Sequence, residues 1–313
     1  MSTTAQAHPN IALIKYWGKQ TGAGNMPATP SISITLSDLL TTTQVCDAAK
    51  DHIVLNGEEV QDHKVSQWLV ALREQLPVPY LQIDTSNNFP TGAGLASSAS
   101  GFAALITAIN QHCALGLNQE MCSDWARLGS ASAARSILGG FVALVPPQWL
   151  AKPLAPSTDW PLRVVIAITS HDKKAVSSTE GMERSRQTSA FYPAWIRGAV
   201  DDYTNAANAV SKRDFALLST TAETNCLKMH SVMLTSQPTL SYWTPASLAC
   251  MDTVRRLRAE GSDVFFTMDA GPQVKAVCLP ESEAAVAAAL SAVPGVVEVQ
   301  CCGLGGPAGI IDS

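Results

Sequence analysis

The segment Asn87-Asn88-Phe89-Pro90-Thr91-Gly92-Ala93-Gly94-Leu95-Ala96-Ser97-Ser98-Ala99 gathers glycines and serines where a strand-like stretch gives way to a helical pattern. Glycine lets a backbone come close to a ligand and take positive φ. The first amides of a helix have no intrahelical partners and can point at a phosphate, with the Ser97 and Ser98 hydroxyls as further donors. The same string also suits a plain glycine turn before a helix that needs small residues for close packing. A Walker loop is excluded, because no lysine occupies its GK[ST] position. A dinucleotide fingerprint is disfavoured: Ser97 replaces the third glycine, and no acidic residue follows at the ribose-binding distance.

Three charged residues stand where chemistry could use them. Asp269 follows the apolar run Val264-Phe265-Phe266 and precedes Gly271-Pro272. A strand-end turn there would present its carboxylate, although Asp-x-Gly-Pro is also a common way for an aspartate to satisfy its own turn. Lys15 lies among Ile11, Leu13 and Trp17. A strand lysine can face solvent; in this apolar company it can instead point inward and favour an ionised carboxylate. Arg135 follows Ser130-Ala131-Ser132-Ala133-Ala134, and its guanidinium fork fits a carboxylate or phosphate with two parallel bonds. The alternative is a surface arginine capping a helix end. His171 and His230 have no nucleophile at a useful spacing and read as structural or surface residues.

Positioning these groups requires a mixed scaffold. Strand signals cover Asn10 to Trp17, Ser31 to Ser37 and Leu39 to Cys46, and Asn56-Gly57 between apolar runs predicts a tight hairpin. Helical spacing predicts a helix from Gln61 to Leu76, and a short strand from Leu81 to Asp84 leads into the glycine loop. Beyond the loop come a helix ending before Gly116, another over Gln119 to Leu128, and a strand over Gly139 to Val145. Prolines punctuate Pro146 to Pro161, the best candidate for a domain boundary. A strand at Arg163 to Thr169 and long helical patterns from Ser178 to Glu260 follow. The end alternates strand, strand, helix and strand over Asp263 to Thr267, Val274 to Leu279, Glu281 to Ala292 and Val296 to Gln300. This is an α+β plan of two layered domains, 1–160 and 161–313, not a doubly wound sheet.

The chain has 313 residues, of which 46% are hydrophobic and 15% charged, enough apolar material for a substantial core. The net charge of −5, without long runs of either sign, argues against a nucleic-acid binder but leaves room for a local basic pocket. No apolar stretch reaches the roughly 18 residues of a membrane span, and Met1 to Asn10 lacks the basic start and apolar run of a signal peptide. The eight cysteines are scattered without a CxxC pair, as expected of reduced thiols, so a cytoplasmic location is expected.

The pattern Pro90-x-x-x-Gly94-Leu95-x-Ser97-Ser98-Ala99 resembles the phosphate motif of the GHMP kinases. The longer string from Asn87 to Ala104 is similar to the diphosphomevalonate decarboxylase family within that superfamily. So are Asn10-Ile11-Ala12-Leu13-Ile14-Lys15-Tyr16-Trp17-Gly18-Lys19, Lys173-Lys174-x-x-Ser177-Ser178-Thr179 with Gly181-Met182, and Asp269-Ala270-Gly271-Pro272. The resemblance implies the two-domain GHMP kinase fold: an N-terminal ATP-binding domain like domain 2 of ribosomal protein S5 and a ferredoxin-like C-terminal domain. It implies that ATP phosphorylates the C3 hydroxyl of mevalonate 5-diphosphate, after which phosphate and CO2 leave to give isopentenyl diphosphate. ATP and Mg2+ are the implied cofactors, the metal carried by ATP near Ser98 rather than by a direct motif.

The same resemblance assigns roles. Asp269 would orient the hydroxyl and take its proton, with Lys15 paired to it. Arg135 would hold the substrate carboxylate, and Ser130 and Ser132 its diphosphate. Tyr16 and Lys19 match substrate contacts, with Lys19 available to the diphosphate. Asn87, Gly94, Leu95, Ala96, Ser97 and Ser98 would hold the nucleotide, joined by Ser177 or Ser178 from the second domain. A homodimer is implied. The chain departs from the family string Pro-Thr-Asn-Ser-Ser-Ile-Ser, reading Pro27-Ala28-Thr29-Pro30-Ser31-Ile32-Ser33, so this turn loses an amide donor. Gln273 replaces an Asn after Gly-Pro, and Ala134 a Cys before Arg135. Diphosphate and monophosphate substrates therefore both stay open, as does a 3-kinase that stops at the phosphorylated alcohol.

Overall fold

The computed structural model describes residues 2–22, 24–89, 96–172 and 175–311. The chain opens with β1 (Ser2–Ala7), β2 (Asn10–Ile14), β3 (Ser31–Thr35) and β4 (Thr41–Asp47), then the hairpin β5 (His52–Leu55) and β6 (Glu58–Glu59). There follow α1 (His63–Arg73), β7 (Leu81–Asn87), α2 (Ser97–His112), α3 (Gln119–Gly129), the short α4 (Ala133–Ser136), β8 (Phe141–Val145) and β9 (Leu150–Ala155). Next come β10 (Arg163–Ile168), α5 (Ser178–Thr188), α6 (Tyr192–Lys212), α7 (Phe215–Leu234) and α8 (Pro245–Ala259). β11 (Val264–Thr267), β12 (Val274–Cys278), α9 (Glu283–Ser291), β13 (Glu298–Cys302) and β14 (Gly309–Ile311) follow.

Local chemistry explains many of the boundaries. Asn56 and Gly57 both take positive φ, the requirement of a two-residue hairpin turn. Asp62 caps α1 by accepting from the amides of Lys64 and Val65, and Asn118 caps α3 through Met121. Thr244 and Ser247 form a capping box at the start of α8, with proline in its first turn.

Three sheets result. The first runs β14-β1-β4-β7-β5-β6, the second β2-β3-β8-β9, and the third β11-β12-β10-β13. The third is antiparallel throughout, in ferredoxin-like order, with α5 to α8 inserted between its first two strands. One apolar cluster spans Ile11, Leu13, Ile32, Ile34 and Phe141 of the second sheet and Val164, Ile166, Phe265 and Val277 of the third, with α6 and α7 contributing Ala206 and Ala222. That shared core fixes the two sheets against each other.

Three strands escape the sequence reading. The Pro146 to Pro161 stretch contains β9, which pairs with β8 at the sheet edge, where Pro153 is tolerated. The side chains of β1 are small and polar, leaving almost no period-2 apolar signal, and β14 has only three residues. These two strands pair antiparallel, so the last described residues return to the first sheet. The strand expected to reach Trp17 ends at Ile14, and the one expected to stop at Asp84 continues to Asn87.

Candidate active site

Residues 10 to 15 are positioned by a β-bulge. Pairing between β2 and β3 shifts register between Ala12 and Ile14, and an extra residue of this kind turns the strand. Beyond the bulge, the Lys15 amide donates to Asn225 Oδ1 of α7 at 2.7 Å. Its ammonium turns back to donate to the Ala12 carbonyl at 2.8 Å and to Asp269 Oδ1 at 2.7 Å. Lys15 is buried and points inward.

Asp269 sits just past β11. The preceding residue, Met268, is gripped from α7: its amide donates to Cys226 Sγ at 3.2 Å, and the buried imidazole of His230 bonds its backbone. Lys275 of β12, fully buried, approaches the other carboxylate oxygen, Oδ2, at 3.3 Å. Burial alone would raise the carboxyl pKa, but Lys15 and Lys275 together hold it well below the usual carboxylate range. Asp269 is therefore ionised, and its side chain keeps 27% exposure toward a cavity. Burial pushes the neighbouring His230 down to about 3, so it is neutral at physiological pH.

Arg135 is carried by α4 and is buried against β3. Its Nε donates to Ser33 Oγ at 2.9 Å, Nη1 to Ser31 Oγ at 2.7 Å and Nη2 to Asn10 Oδ1 at 3.3 Å. The alternation Ser-Ile-Ser-Ile-Thr of β3 accounts for this: the isoleucines join the apolar core while the serines hold the arginine. Desolvation lowers the guanidinium to about 10, opposed by Asp269 and Tyr16, which leaves it charged. The Tyr16 hydroxyl is buried without a hydrogen-bond partner, and burial raises its pKa.

These groups meet in a cavity of about 480 Å3 lined by β2 and the segment after it, the starts of α2, α4 and α5, and the segment after β11. Lys15, Tyr16, Lys19, Ser98, Ser130, Ser132, Arg135, Ser177 and Asp269 all line it, as do Ala96, Lys64, Asn10 and Ser178. Among the described lining residues Asp269 is the only carboxylate, against Lys15, Lys19, Lys64 and Arg135. The balance favours a polyanionic ligand. Lys19 Nζ donates to Asn25 Oδ1 at 2.7 Å, and Asn25 in turn donates to the Leu128 carbonyl, fastening this loop to α3.

The helix expected to follow the glycine loop is α2. Ala96 precedes it in left-handed conformation, and no side chain caps its first turn. Exposed Ser98 lies at its start, with its hydroxyl 3.3 Å from that of Ser130, which is 3.3 Å from that of Ser132. A row of hydroxyls thus runs from the helix start toward Arg135. Beside it, a slot of about 180 Å3 is walled by Ile53, Leu55, Val65, Phe102 and Leu105, and reached by Asn87, Ser97, Ser98 and Lys64. Asn87 faces this slot rather than the main cavity. Gly94, Leu95, Lys173 and Lys174 lie outside the described residues. Ser177 caps α5 through the Glu180 amide.

Several contributors escape the sequence reading. Lys275 left a trace, as a lone cation inside the apolar strand Val-Lys-Ala-Val-Cys. Asn10 lay within a quoted motif without a role, and Ser31 and Ser33 only within a departure. Asn225 had no signal, since its partner, the Lys15 amide, is 210 residues away. Gln273 accepts from the Thr169 amide at 2.7 Å and donates to the Ser170 carbonyl at 2.6 Å. It ties the turn after Asp269 to the end of β10.

A two-domain α+β chain of this topology, with an ionised aspartate between lysines at a cationic cavity, has the architecture of the GHMP-kinase-type fold. Residues 7–148 match the diphosphomevalonate decarboxylase-like N-terminal domain, and residues 164–300 the mevalonate 5-diphosphate decarboxylase C-terminal domain. The chain is 36% identical to diphosphomevalonate decarboxylase of Aspergillus fumigatus, over 93% of this chain and 80% of that protein. Mevalonate diphosphate decarboxylase of Staphylococcus aureus superposes with a TM-score of 0.93 at 35% identity, covering 99% of this chain and 98% of the other. A structure of MDDEF in complex with MVAPP, AMPPCP and magnesium superposes with a TM-score of 0.91, also at 35% identity, covering 100% and 99%. The chain belongs to the diphosphomevalonate decarboxylase family.

Proposed function

We propose that this protein converts mevalonate 5-diphosphate and ATP to isopentenyl diphosphate, ADP, phosphate and CO2, a step of isoprenoid biosynthesis. The observation that carries this reading is the single carboxylate, Asp269, held ionised by lysines inside an otherwise cationic cavity that opens onto the start of α2. The tertiary C3 hydroxyl of the substrate donates to Asp269. Phosphoryl transfer needs little prior deprotonation of its nucleophile, because the transition state is loose. As the oxygen–phosphorus bond forms, the hydroxyl proton becomes strongly acidic, and even a carboxylate of low basicity accepts it. Cleavage of the C3–O bond then releases phosphate with the bonding electrons. The electrons of the bond to the carboxylate become the new double bond as CO2 departs.

Arg135 holds the substrate carboxylate, with its fork already aimed by Ser31, Ser33 and Asn10. Tyr16, Lys19, Ser130 and Ser132 receive the diphosphate. The nucleotide phosphates lie at the start of α2 against Ala96, Ser97 and Ser98, with Asn87, Gly94, Leu95 and Ser177 completing the set, and the adenosine occupies the neighbouring apolar slot. The related complex with AMPPCP and magnesium supports ATP and Mg2+ as cofactors. Mg2+ would be carried on the nucleotide phosphates, and the Ser98 hydroxyl at the start of α2 is the side chain that would take part in holding it. Bound there, it would supply charge neutralisation to the transferring phosphoryl group.

The two functional units are 1–160 and 161–313, with β14 reaching back from the second to pair with β1 of the first, and the family resemblance supports a homodimer, with a cytoplasmic location proposed beside it. Among the described residues no helix is long and apolar enough to cross a membrane. The Ala28-Thr29-Pro30 departure makes the tail the point to test. Thr29 is buried with its hydroxyl directed at the Lys15 carbonyl, and the Ala28 amide bonds Gly18. Supplying mevalonate 5-diphosphate and 5-phosphate separately with Mg-ATP should yield isopentenyl diphosphate from the first. Isopentenyl phosphate from the second, with the first unused, would refute the diphosphate assignment.

A further inference from the structure

Asp269 is held from two sides by two lysines on different segments of the chain. Lys15, just past the end of β2, takes Oδ1 at 2.7 Å, and Lys275 of β12 approaches Oδ2 at 3.3 Å. The second contact is unusual for its setting. Lys275 is fully buried, sits in a strand whose other residues are Val274, Ala276, Val277 and Cys278, and does not line the cavity. An ammonium with no exposure carries a desolvation cost of several kcal/mol. A strand serving only to fill the core would carry an apolar residue there.

We propose that Lys275 is a positioning residue of the reaction: it anchors Oδ2 so that the Asp269 carboxylate keeps one orientation toward the substrate hydroxyl. A carboxylate held through a single oxygen can swing about its Cβ–Cγ bond. Held at both oxygens, from the segment that follows β2 and from β12, it cannot turn without breaking an ion pair. Burial draws the pKa of the Lys275 ammonium down, and the Asp269 carboxylate beside it opposes that shift. This inference rests on the functional reading above.

The groups facing Asp269 are Lys15 from the segment after β2, Lys275 from β12, Arg135 from α4, and Cys226 and His230 from α7. Burial pushes the Cys226 thiol up and His230 down to about 3, so both are neutral between pH 5 and 8. Removing the Lys275 charge would leave Asp269 with one direct cationic partner and raise its pKa. Protonation would then silence it at higher pH, and the acid limb of the rate profile would move upward.

The test compares Lys275→Met with Lys275→Arg in the full chain. Lys275→Met should lower kcat at least about tenfold, leave KM for ATP within about twofold, and shift the acid limb of kcat upward in pH. Its melting temperature without ligands should fall by no more than a few degrees, because Lys15 still compensates the Asp269 carboxylate once the second ammonium is gone. Lys275→Arg should keep the wild-type acid limb. An unchanged kcat in Lys275→Met, or a loss that only follows a fall in melting temperature with the pH profile intact, would overturn the proposal. ADP release is read on both the diphosphate and the monophosphate. A wild type inactive on the diphosphate would refute the functional reading, whereas the Lys275 proposal falls only if the Met variant matches wild type on the substrate that wild type uses.

Discussion

Around Asp269 the polar groups are buried side chains fixed by other side chains, whereas around the start of α2 they are exposed or half-buried hydroxyls and a helix end beside an apolar slot. At the first, Lys15 and Lys275 clamp the carboxylate and three partners on β2 and β3 hold Arg135. At the second, Ser98 is exposed and its hydroxyl contact to Ser130 is long, at 3.3 Å. On the proposed function, the difference follows from what each end would do. Proton and phosphoryl movement tolerates little misplacement of the reacting groups, so rigidity there is retained despite its desolvation cost. A nucleotide must enter and leave, and a helix terminus with small residues binds phosphate without enclosing it.

That contrast predicts two kinds of mutant. Asp269→Asn should have the largest effect, lowering kcat by about 10³-fold or more while the ATP dissociation constant, read by calorimetry, stays within about twofold. A variant that instead loses nucleotide affinity would show that the two ends are not separate. Arg135→Ala should lower kcat/KM for the phosphorylated substrate by about 10²-fold, since a truncated buried charge costs about 2–5 kcal/mol. Its melting temperature should also fall, because Ser31, Ser33 and Asn10 lose a partner. Unchanged kcat/KM would remove Arg135 from the site. Ser98→Ala should raise KM for ATP by about fivefold with little change in kcat. A fall in kcat alone would place Ser98 with the rigid end.

The smallest effect concerns pH. His230 is held neutral, its pKa lowered by burial from the ordinary 6.5 to about 3. The unfolded chain therefore binds a proton that the native protein refuses. The stability contributed by the neutral ring is present above about 6.5 and is lost as pH falls toward 3. His230→Gln should flatten the decline of melting temperature between pH 7 and 4. An equally steep decline in the variant would assign it to other groups.

The contrast between the two ends also explains what the sequence made legible. The nucleotide end is a contiguous string, and its helix begins at Ser97 as the glycine–serine pattern implies. Lys15, Arg135 and Asp269 stood in recognisable local settings, and all three line one cavity. Their supports were hidden, because Asn225, Ser31, Ser33 and Lys275 act across sheets and helices, where sequence distance carries no information. In the fold, strongly patterned elements such as β10 and α3 were legible nearly to the residue. The edge strand β9, with Pro153, and the polar strand β1 were not, since their pairing rather than their side chains makes them strands.

The most direct measurement counts ADP and CO2 in the same reaction, with wild-type protein, Mg-ATP and mevalonate 5-diphosphate. If the Asp269 cavity couples phosphoryl transfer to decarboxylation, one CO2 should be released for each ADP, and both should vanish together in Asp269→Asn. ADP formed without CO2 would contradict that coupling and identify a kinase that stops at the phosphorylated alcohol.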